Sequence, residues 1–489
     1  MQADATSREQ IVQADTLEQR PLLQKRIPIH PRSVRGKFRT FKWGVLILAY
    51  SVFFALPWLP WGRHGAPAQA VLFDLASRRF FLFGLVVYPQ DVYWLALLLF
   101  LAAVLLFFAT ALVGRAFCGY FCFQTLWTDA FIAIERLVQG ERPARLRLHK
   151  QPLSPEKAFK LALTHGLWLL LAFWTALGFI LYFGYAPGLA REFFSGQAPQ
   201  AAYFTVLILT VSTYLAAGWA REQVCIHICP YSRFQSAMYD PETLAVAYDV
   251  ARGEGSAGRL AAKPGMRTRE ERQAGGHGDC IDCGLCVQVC PAGIDIRAGM
   301  QYQCISCGLC IDACNGIMDS MGFSRGLIRY DSEENLRSAR PGRPRLHWKR
   351  LKIVGYGAAL VVVAGFLVYS VAHRSAFEES IQQVRQPLFV QLSDGRIRNR
   401  YQIRVTNKAT REETYLISVR GIPQASLDLG SIHRLTVPPG KTLMVQASVK
   451  LTPAQAEKVE EFEFVITPES RPKAARAREA RFFSRHGSL

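Results

Sequence analysis

The chain has 489 residues, 50% of them hydrophobic and 20% charged, with a net charge of +20 and twelve cysteines. That length allows two or three domains, and the gathering of apolar residues into long runs excludes a single soluble globule. The basic excess lies beside those runs, where it sets topology and meets lipid headgroups, which argues against nucleic-acid binding.

Residues 1–42 are predicted to be a basic cytoplasmic arm with no apolar core, so no cleavable signal peptide is expected there. Five runs then approach or exceed the roughly 20 apolar residues that cross a bilayer. They are 43–61, 92–113, 158–183, 201–220 and 351–372, so 43–220 is expected to be a four-helix membrane region and 351–372 a fifth transmembrane helix. Between the first two runs, VLFDLASRRFFLFGLVVYPQD carries too much charge to cross alone and is expected to be interfacial or re-entrant. Lys and Arg crowd the segment before the first run, the link between the second and third, and the basic link 321–350. The links after the first and third runs hold few. Positive-inside reasoning therefore puts the N-terminus in the cytoplasm and the C-terminus outside.

Cys118 and Cys122, in RAFCGYFCFQTLW, follow the second run, and Cys225 and Cys229, in REQVCIHICPYSRF, follow the fourth. If the spans continue as helices, C-x3-C spacing puts both sulfurs of a pair on one face. One such pair is weak evidence, because a buried cysteine is an ordinary core residue. Two pairs at one membrane depth present up to four thiolates and point to a joint redox or metal role. Soft sulfur ligands select monovalent copper, zinc or iron-sulfur clusters. His227, inside the second pair, is a further candidate ligand or a turn cap. His165 is an ionisable group inside a membrane segment, hence a functional candidate, either in an interhelical hydrogen bond or as a haem or quinone contact.

The cytoplasmic link 221–278 includes a Gly- and Arg-rich stretch, 251–278, expected to act as a tether. Residues 279–320 form the densest motif in the chain. Cys280, Cys283, Cys286 and Cys290 recur as Cys304, Cys307, Cys310 and Cys314, twice giving the C-x2-C-x2-C-x3-C ligand run of a two-cluster ferredoxin. Two-residue gaps let three thiolates wrap one cubane, with Gly284 and Gly308 easing the turn, and the fourth cysteine of each run serves the other cluster. One [4Fe-4S] cluster is thus assigned to Cys280, Cys283, Cys286 and Cys314, the other to Cys304, Cys307, Cys310 and Cys290. Paired zinc sites are the alternative, but zinc does not need repeated four-cysteine runs with Pro291 after the first. In the reducing cytoplasm, disulfides are not expected.

Beyond the fifth run, residues 373–489 change to alternating apolar and polar positions, at 401–407, 414–421, 434–440 and 443–451. These short strands predict an immunoglobulin-like antiparallel β-sandwich that docks another protein outside the membrane.

Taken together, PRSVRGKFRTFKW, FDLASRRFFLFGLVVYPQD, CGYFCFQTLWTD, CIHICPYSRFQSAMYD, the paired ferredoxin run and the outer β-domain resemble the CcoG/FixG/RdxA family. The resemblance covers nearly all of the chain after the arm. It implies a multi-pass iron-sulfur protein of the bacterial inner membrane, with its clusters cytoplasmic and its C-terminal domain periplasmic. It further implies a cupric reductase, making Cu(I) for cbb-type cytochrome c oxidase, with Cys118, Cys122, Cys225 and Cys229 as membrane-proximal copper thiols. Implied partners are copper ions, a copper-transporting ATPase and oxidase assembly factors. Two other functions fit the residues: a quinol dehydrogenase subunit feeding a periplasmic reductase, and a non-enzymatic assembly scaffold. The family motif is C-x3-C-P in both places, whereas Phe123 follows the first pair here and Pro230 the second. Lacking that proline, the chain after Cys122 is expected to be able to stay helical.

Overall fold

A computed structural model describes the chain apart from residues 1–28, 63–66, 262–267, 302, 339–343, 345–346, 410, 431, 433 and 485–489. Most of the basic arm and part of the 251–278 stretch therefore lie outside the described residues. The chain divides into two compact units, the first holding residues 1–59, 71–78 and 89–367, the second 60–70, 79–88 and 368–489.

In the first unit, helices α1 (Lys37–Ala55) and α2 (Val92–Val113) are followed by a short α3 (Ala116–Tyr120) and by α4 (Phe123–Gln139), α5 (Arg142–Lys150), α6 (Pro155–Ile180) and α7 (Gln200–Thr213). The α7 helix widens into π-helical turns over Tyr214–Ala220 and Val224–Ile228, then α8 (Pro230–Met238) begins. A two-stranded ribbon, β1 (Ala245–Tyr248) paired antiparallel with β2 (Ile328–Asp331), brackets α9 (Leu285–Gln288) and α10 (Leu309–Met321) of the cysteine-rich module. The last long helix is α11 (Leu351–Ala372).

Among the described residues, six helices are long and apolar enough to cross a membrane, where the sequence leads one to expect five. The additional candidate is Ala116–Gln139, which is not among the five apolar runs; Asp129, Glu135 and Arg136 interrupt it. In the folded chain two of these charges have buried partners. Asp129 pairs with Arg39 at 2.9 Å and Lys42 at 3.8 Å, and Glu135 pairs with Arg221 at 2.5 Å and with Arg145. Those partners come from α1, α5 and the end of the 214–220 turn, so paired charges staple α4 into the helix bundle. Around them Trp127, Phe131 and Trp168 form an apolar core with Leu46, Ala172 and Ala217.

The cysteine-rich module is not the loosely tethered body that the 251–278 composition suggests. It belongs to the same compact unit as the membrane helices. The Asp312 carboxylate of α10 accepts from the backbone N–H groups of Phe38 and Arg39, at 3.3 and 2.8 Å, and so satisfies open donors in the first turn of α1. With that cap α1 begins at Lys37, ahead of the apolar run at 43. Within the 251–278 stretch itself, buried Arg272 donates to the carbonyls of Gly278 and Cys280 at 3.0 and 2.9 Å, fastening the linker to the start of the module.

The second unit is a β-sandwich. Its strands are β3 (Phe377–Gln383), β4 (Ile397–Asn407), β5 (Glu413–Arg420), β6 (Leu427–Asp428), β7 (Leu435–Val437), β8 (Thr442–Leu451), β9 (Glu461–Pro468) and β10 (Arg476–Arg481). They form two antiparallel sheets in the orders β6-β8-β4-β3 and β7-β5-β9-β10. Alternation along each strand turns Tyr401, Ile403 and Val405, Val445, Ala447 and Val449, and Phe462, Phe464 and Ile466 into one closed core. The segment expected to be interfacial or re-entrant supplies a hairpin, Arg79–Leu82 with Leu85–Val87, that clusters with this unit. Its tight turn and the run of Val, Leu and Phe suit strands.

Candidate functional site

The eight cysteines of the module are positioned by two copies of one turn. Asp282 and Ser306 adopt left-handed backbone (φ 52° and 50°), and Gly284 and Gly308 follow with φ 66° and 70° as the N-caps of α9 and α10. Burial pushes the Cys314 thiol up to about 12, with Cys286, Cys280 and Cys283 adding to the shift. Burial likewise raises Cys290 to about 12, and its thiol neighbours are Cys307 and Cys304. The structure thus sets the last cysteine of each run among the first three of the other. A cavity of about 20 Å³ is lined by Cys286, Cys290, Cys304, Cys307 and Cys310. Cysteines of both runs around one cavity, reached by two left-handed turns, fit cubanes of iron and sulfide.

The membrane-edge pairs come from segments more than a hundred residues apart and are equivalent in detail. The Cys122 N–H bonds to the Phe117 carbonyl at 3.1 Å and the Cys229 N–H to the Val224 carbonyl at 2.8 Å, five residues back in both cases. Cys122 (φ −66°, ψ 130°) and Cys229 (φ −74°, ψ 110°) are extended N-caps, of α4 and α8. Thr125 and Ser232, each seven residues past the first cysteine, donate their hydroxyls to the Cys118 and Cys225 carbonyls, both at 2.5 Å. The chain after Cys122 is helical, as expected, but the preceding helix ends at Tyr120 and a new one begins at Phe123, so the geometry still matches that of the second pair. Phe123 occupies the first helical position, as Pro230 does, and the widened turn stops the preceding helix without help from a pyrrolidine ring. The sulfurs therefore do not sit on the regular i, i+4 face anticipated from spacing.

The two pairs face each other. The Cys118 thiol donates to Gln235 Oε1 of α8 at 3.5 Å, and Arg115, just ahead of Cys118, donates to the Ser232 carbonyl. Burial pushes the Cys225 thiol up to about 11, and the neighbouring Cys122 and Cys229 thiols add to that shift. All four are half-buried. A cavity of about 50 Å³ opens beside Cys225, lined also by Arg115, Gln124, Thr125, Arg221 and, from the module, Ile305.

Module and thiol pairs touch at Gly119. A Cβ there would lie 2.6 Å from the Ile305 carbonyl oxygen and 3.0 Å from the Cys307 Cα, so only glycine lets α3 settle on the 305–307 loop. Next to it, the Tyr120 hydroxyl donates to the Cys307 carbonyl at 2.8 Å.

His227 is exposed on the turn between Cys225 and Cys229. His165 Nδ1 lies 2.9 Å from the Tyr214 hydroxyl, with the rings of Trp168 and Trp219 packed on either side at 5.1 and 6.1 Å. Among the described residues, no three His, Cys, Asp or Glu side chains converge as around a single ion, the ferredoxin cysteines included. Sequence reasoning passed over Arg115, Gly119, Tyr120, Gln235 and Asp312, which act across long sequence separations. The Thr125/Ser232 repeat was legible on laying the two C-x3-C segments side by side.

Three family models match the chain: a "4Fe-4S dicluster domain" over residues 220–333, a "4Fe-4S binding domain" over 95–139, and the "IG-like fold at C-terminal of FixG" over 367–485. Protein RdxB of Cereibacter sphaeroides is 42% identical over 450 residues, 90% of this chain and 93% of that protein. Protein RdxA of the same organism is 42% identical over 82% of this chain and 84% of its own length. The "Nitrogen fixation protein FixG" of Rhizobium meliloti is 38% identical over 90% of each.

Proposed function

The chain belongs to the FixG/RdxA family, and from that premise we propose that this membrane iron-sulfur protein reduces Cu(II) to Cu(I) for the assembly of cbb-type cytochrome c oxidase. Two [4Fe-4S] clusters, held by Cys280, Cys283, Cys286 and Cys314 and by Cys304, Cys307, Cys310 and Cys290, supply storage and release of single electrons when bound. Copper is the substrate. Each Cu(II) gains one electron and becomes Cu(I), no atom is transferred, and a reduced one-electron donor on the side of the ferredoxin module loses that electron.

The observation that carries the reading is the seat of Gly119 and Tyr120 on the Cys307 loop, which puts the first C-x3-C turn in van der Waals contact with the ferredoxin backbone. Soft sulfur at Cys118, Cys122, Cys225 and Cys229 favours the monovalent product. Arg115 and Gln235 hold the two turns face to face. The basic residues flanking the spans favour an inner-membrane orientation with the module in the cytoplasm and the β-sandwich in the periplasm, in which five of the six apolar helices cross and α4 does not: Glu141, just past α4, accepts from the Ser33 N–H ahead of α1 and keeps both ends of α4 on one side. That sandwich is then the docking surface for a copper-transporting ATPase or an oxidase assembly factor.

The test is anaerobic: purified protein is reduced, then mixed with Cu(II) and a Cu(I)-specific chelator. Stoichiometric Cu(I) is expected. No Cu(I) from a chain with intact clusters favours the scaffold. The His165–Tyr214 pair in its indole setting favours a second reading, a quinol dehydrogenase, which re-oxidation of the protein by quinone analogues without copper would support.

A further inference from the structure

The 4Fe-4S match over residues 95–139 raises a problem of ligand number, because that stretch contains only two cysteines, Cys118 and Cys122. A cubane cluster bound by cysteine takes four. The eight cysteines of the ferredoxin runs are grouped in two sets of four by their own turns and do not supply the missing pair.

The fold does supply it. Cys225 and Cys229 fall within the dicluster match at 220–333, yet they lie well ahead of the ferredoxin runs. They sit on a turn that copies the Cys118–Cys122 turn bond for bond: the same five-residue backbone closure, the same extended N-cap cysteine, the same hydroxyl seven residues on. Cys118 reaches Gln235 across the gap, and Cys225 has the Cys122 thiol as an electrostatic neighbour, so the copies face each other. The facing turns also share electrostatics. Cys122 and Cys229 begin helices α4 and α8, whose N-terminal ends carry positive dipole charge, and the Arg115 guanidinium lies near Cys225 and works against the upward push of burial there.

We infer that Cys118, Cys122, Cys225 and Cys229 together ligate a third iron-sulfur cluster of the cubane class, one pair from each turn. This deepens the proposed function and rests on its iron-sulfur reading. Copper then meets the four-cysteine site as an arriving electron acceptor rather than as its resident metal.

The experiment counts iron and acid-labile sulfide in the full-length chain, purified without oxygen in detergent, and follows the Mössbauer and paramagnetic resonance spectra. About 12 irons per chain are expected, against about 8 if only the ferredoxin runs are loaded. Cys118→Ser with Cys122→Ser is expected to remove about four irons while leaving the spectrum of the eight-cysteine module. Cys225→Ser with Cys229→Ser is expected to remove the same four, and the quadruple variant no more. Additive losses from the two pairs overturn the inference, as does a wild-type count near 8 or copper in place of the missing iron. The wild-type count decides even if a variant does not fold. A chain with about 12 irons that makes no Cu(I) removes the copper reading and leaves the third cluster standing, whereas about 8 irons with Cu(I) made does the reverse.

Discussion

The ferredoxin module and the membrane-edge thiols solve the same chemical problem by opposite routes. In the module, all eight sulfurs come from one 35-residue stretch, and two left-handed turns place them almost regardless of what lies outside. The four edge thiols are local only in pairs. Their meeting depends on α4 being held in the bundle by buried charge, on Arg115 and Gln235 bridging the gap, and on α3 resting on the Cys307 loop. Perturbing distant residues is therefore expected to disable the edge site long before it disables the module.

The strongest test of that contrast is Glu135→Ala. It takes from buried Arg145 and Arg221 the carboxylate that pairs with both, and removing one partner of a buried pair costs about 3–5 kcal/mol. Thermal unfolding in detergent is expected to shift down accordingly, and labelling of Cys225 and Cys229 to rise, with the absorbance of the ferredoxin clusters retained. Equal loss of both sites would erase the distinction.

Gly119→Ala pushes a methyl group into the Ile305 carbonyl and the Cys307 Cα. Overpacking of this kind costs about 1–3 kcal/mol. The expected readout is slower copper reduction at unchanged iron content, since the contact between the first C-x3-C turn and the module opens. Asp312→Ala, which removes the cap on α1, is expected to cost about 1 kcal/mol. It should appear as faster amide exchange at Phe38 and Arg39.

The mildest test is one of pH. Burial holds the Cys286 and Cys304 thiols up to about 11 and Cys290 and Cys314 up to about 12, so all four are protonated at neutral pH in the cluster-free chain. Loading a cluster must expel those protons, so loading at fixed iron and sulfide improves as pH rises from 7 to 9 and releases acid measurably. Alkylation of the cluster-free chain at pH 9 should be slower than that of a small-molecule thiol. Rapid alkylation there would show that the module opens when empty.

How far the fold was legible in sequence follows the range of the forces involved. The β-sandwich strands were foreseen because alternation is a two-residue signal, and 401–407 lies within the observed Ile397–Asn407. The place of α4 in the bundle was not legible, because Asp129 and Glu135 break its apolar run and are neutralised only by Arg39, Lys42, Arg145 and Arg221 from elsewhere in the chain. The kinship of the two C-x3-C turns was obscured by Phe123 standing where its counterpart has Pro230. Backbone closure, not the ring, ends those helices.

The amino-acid sequence alone determined the ferredoxin ligand spacing, the long apolar runs and the alternating strands, because each is written in intervals of a few residues that local backbone geometry reads directly. Only the tertiary structure decided that Cys118 and Cys122 face Cys225 and Cys229, that Asp312 caps α1, and that Gly119 lies on the Cys307 loop. Such contacts join residues tens to hundreds of positions apart, and no short-range pattern encodes a meeting that depends on how whole helices pack.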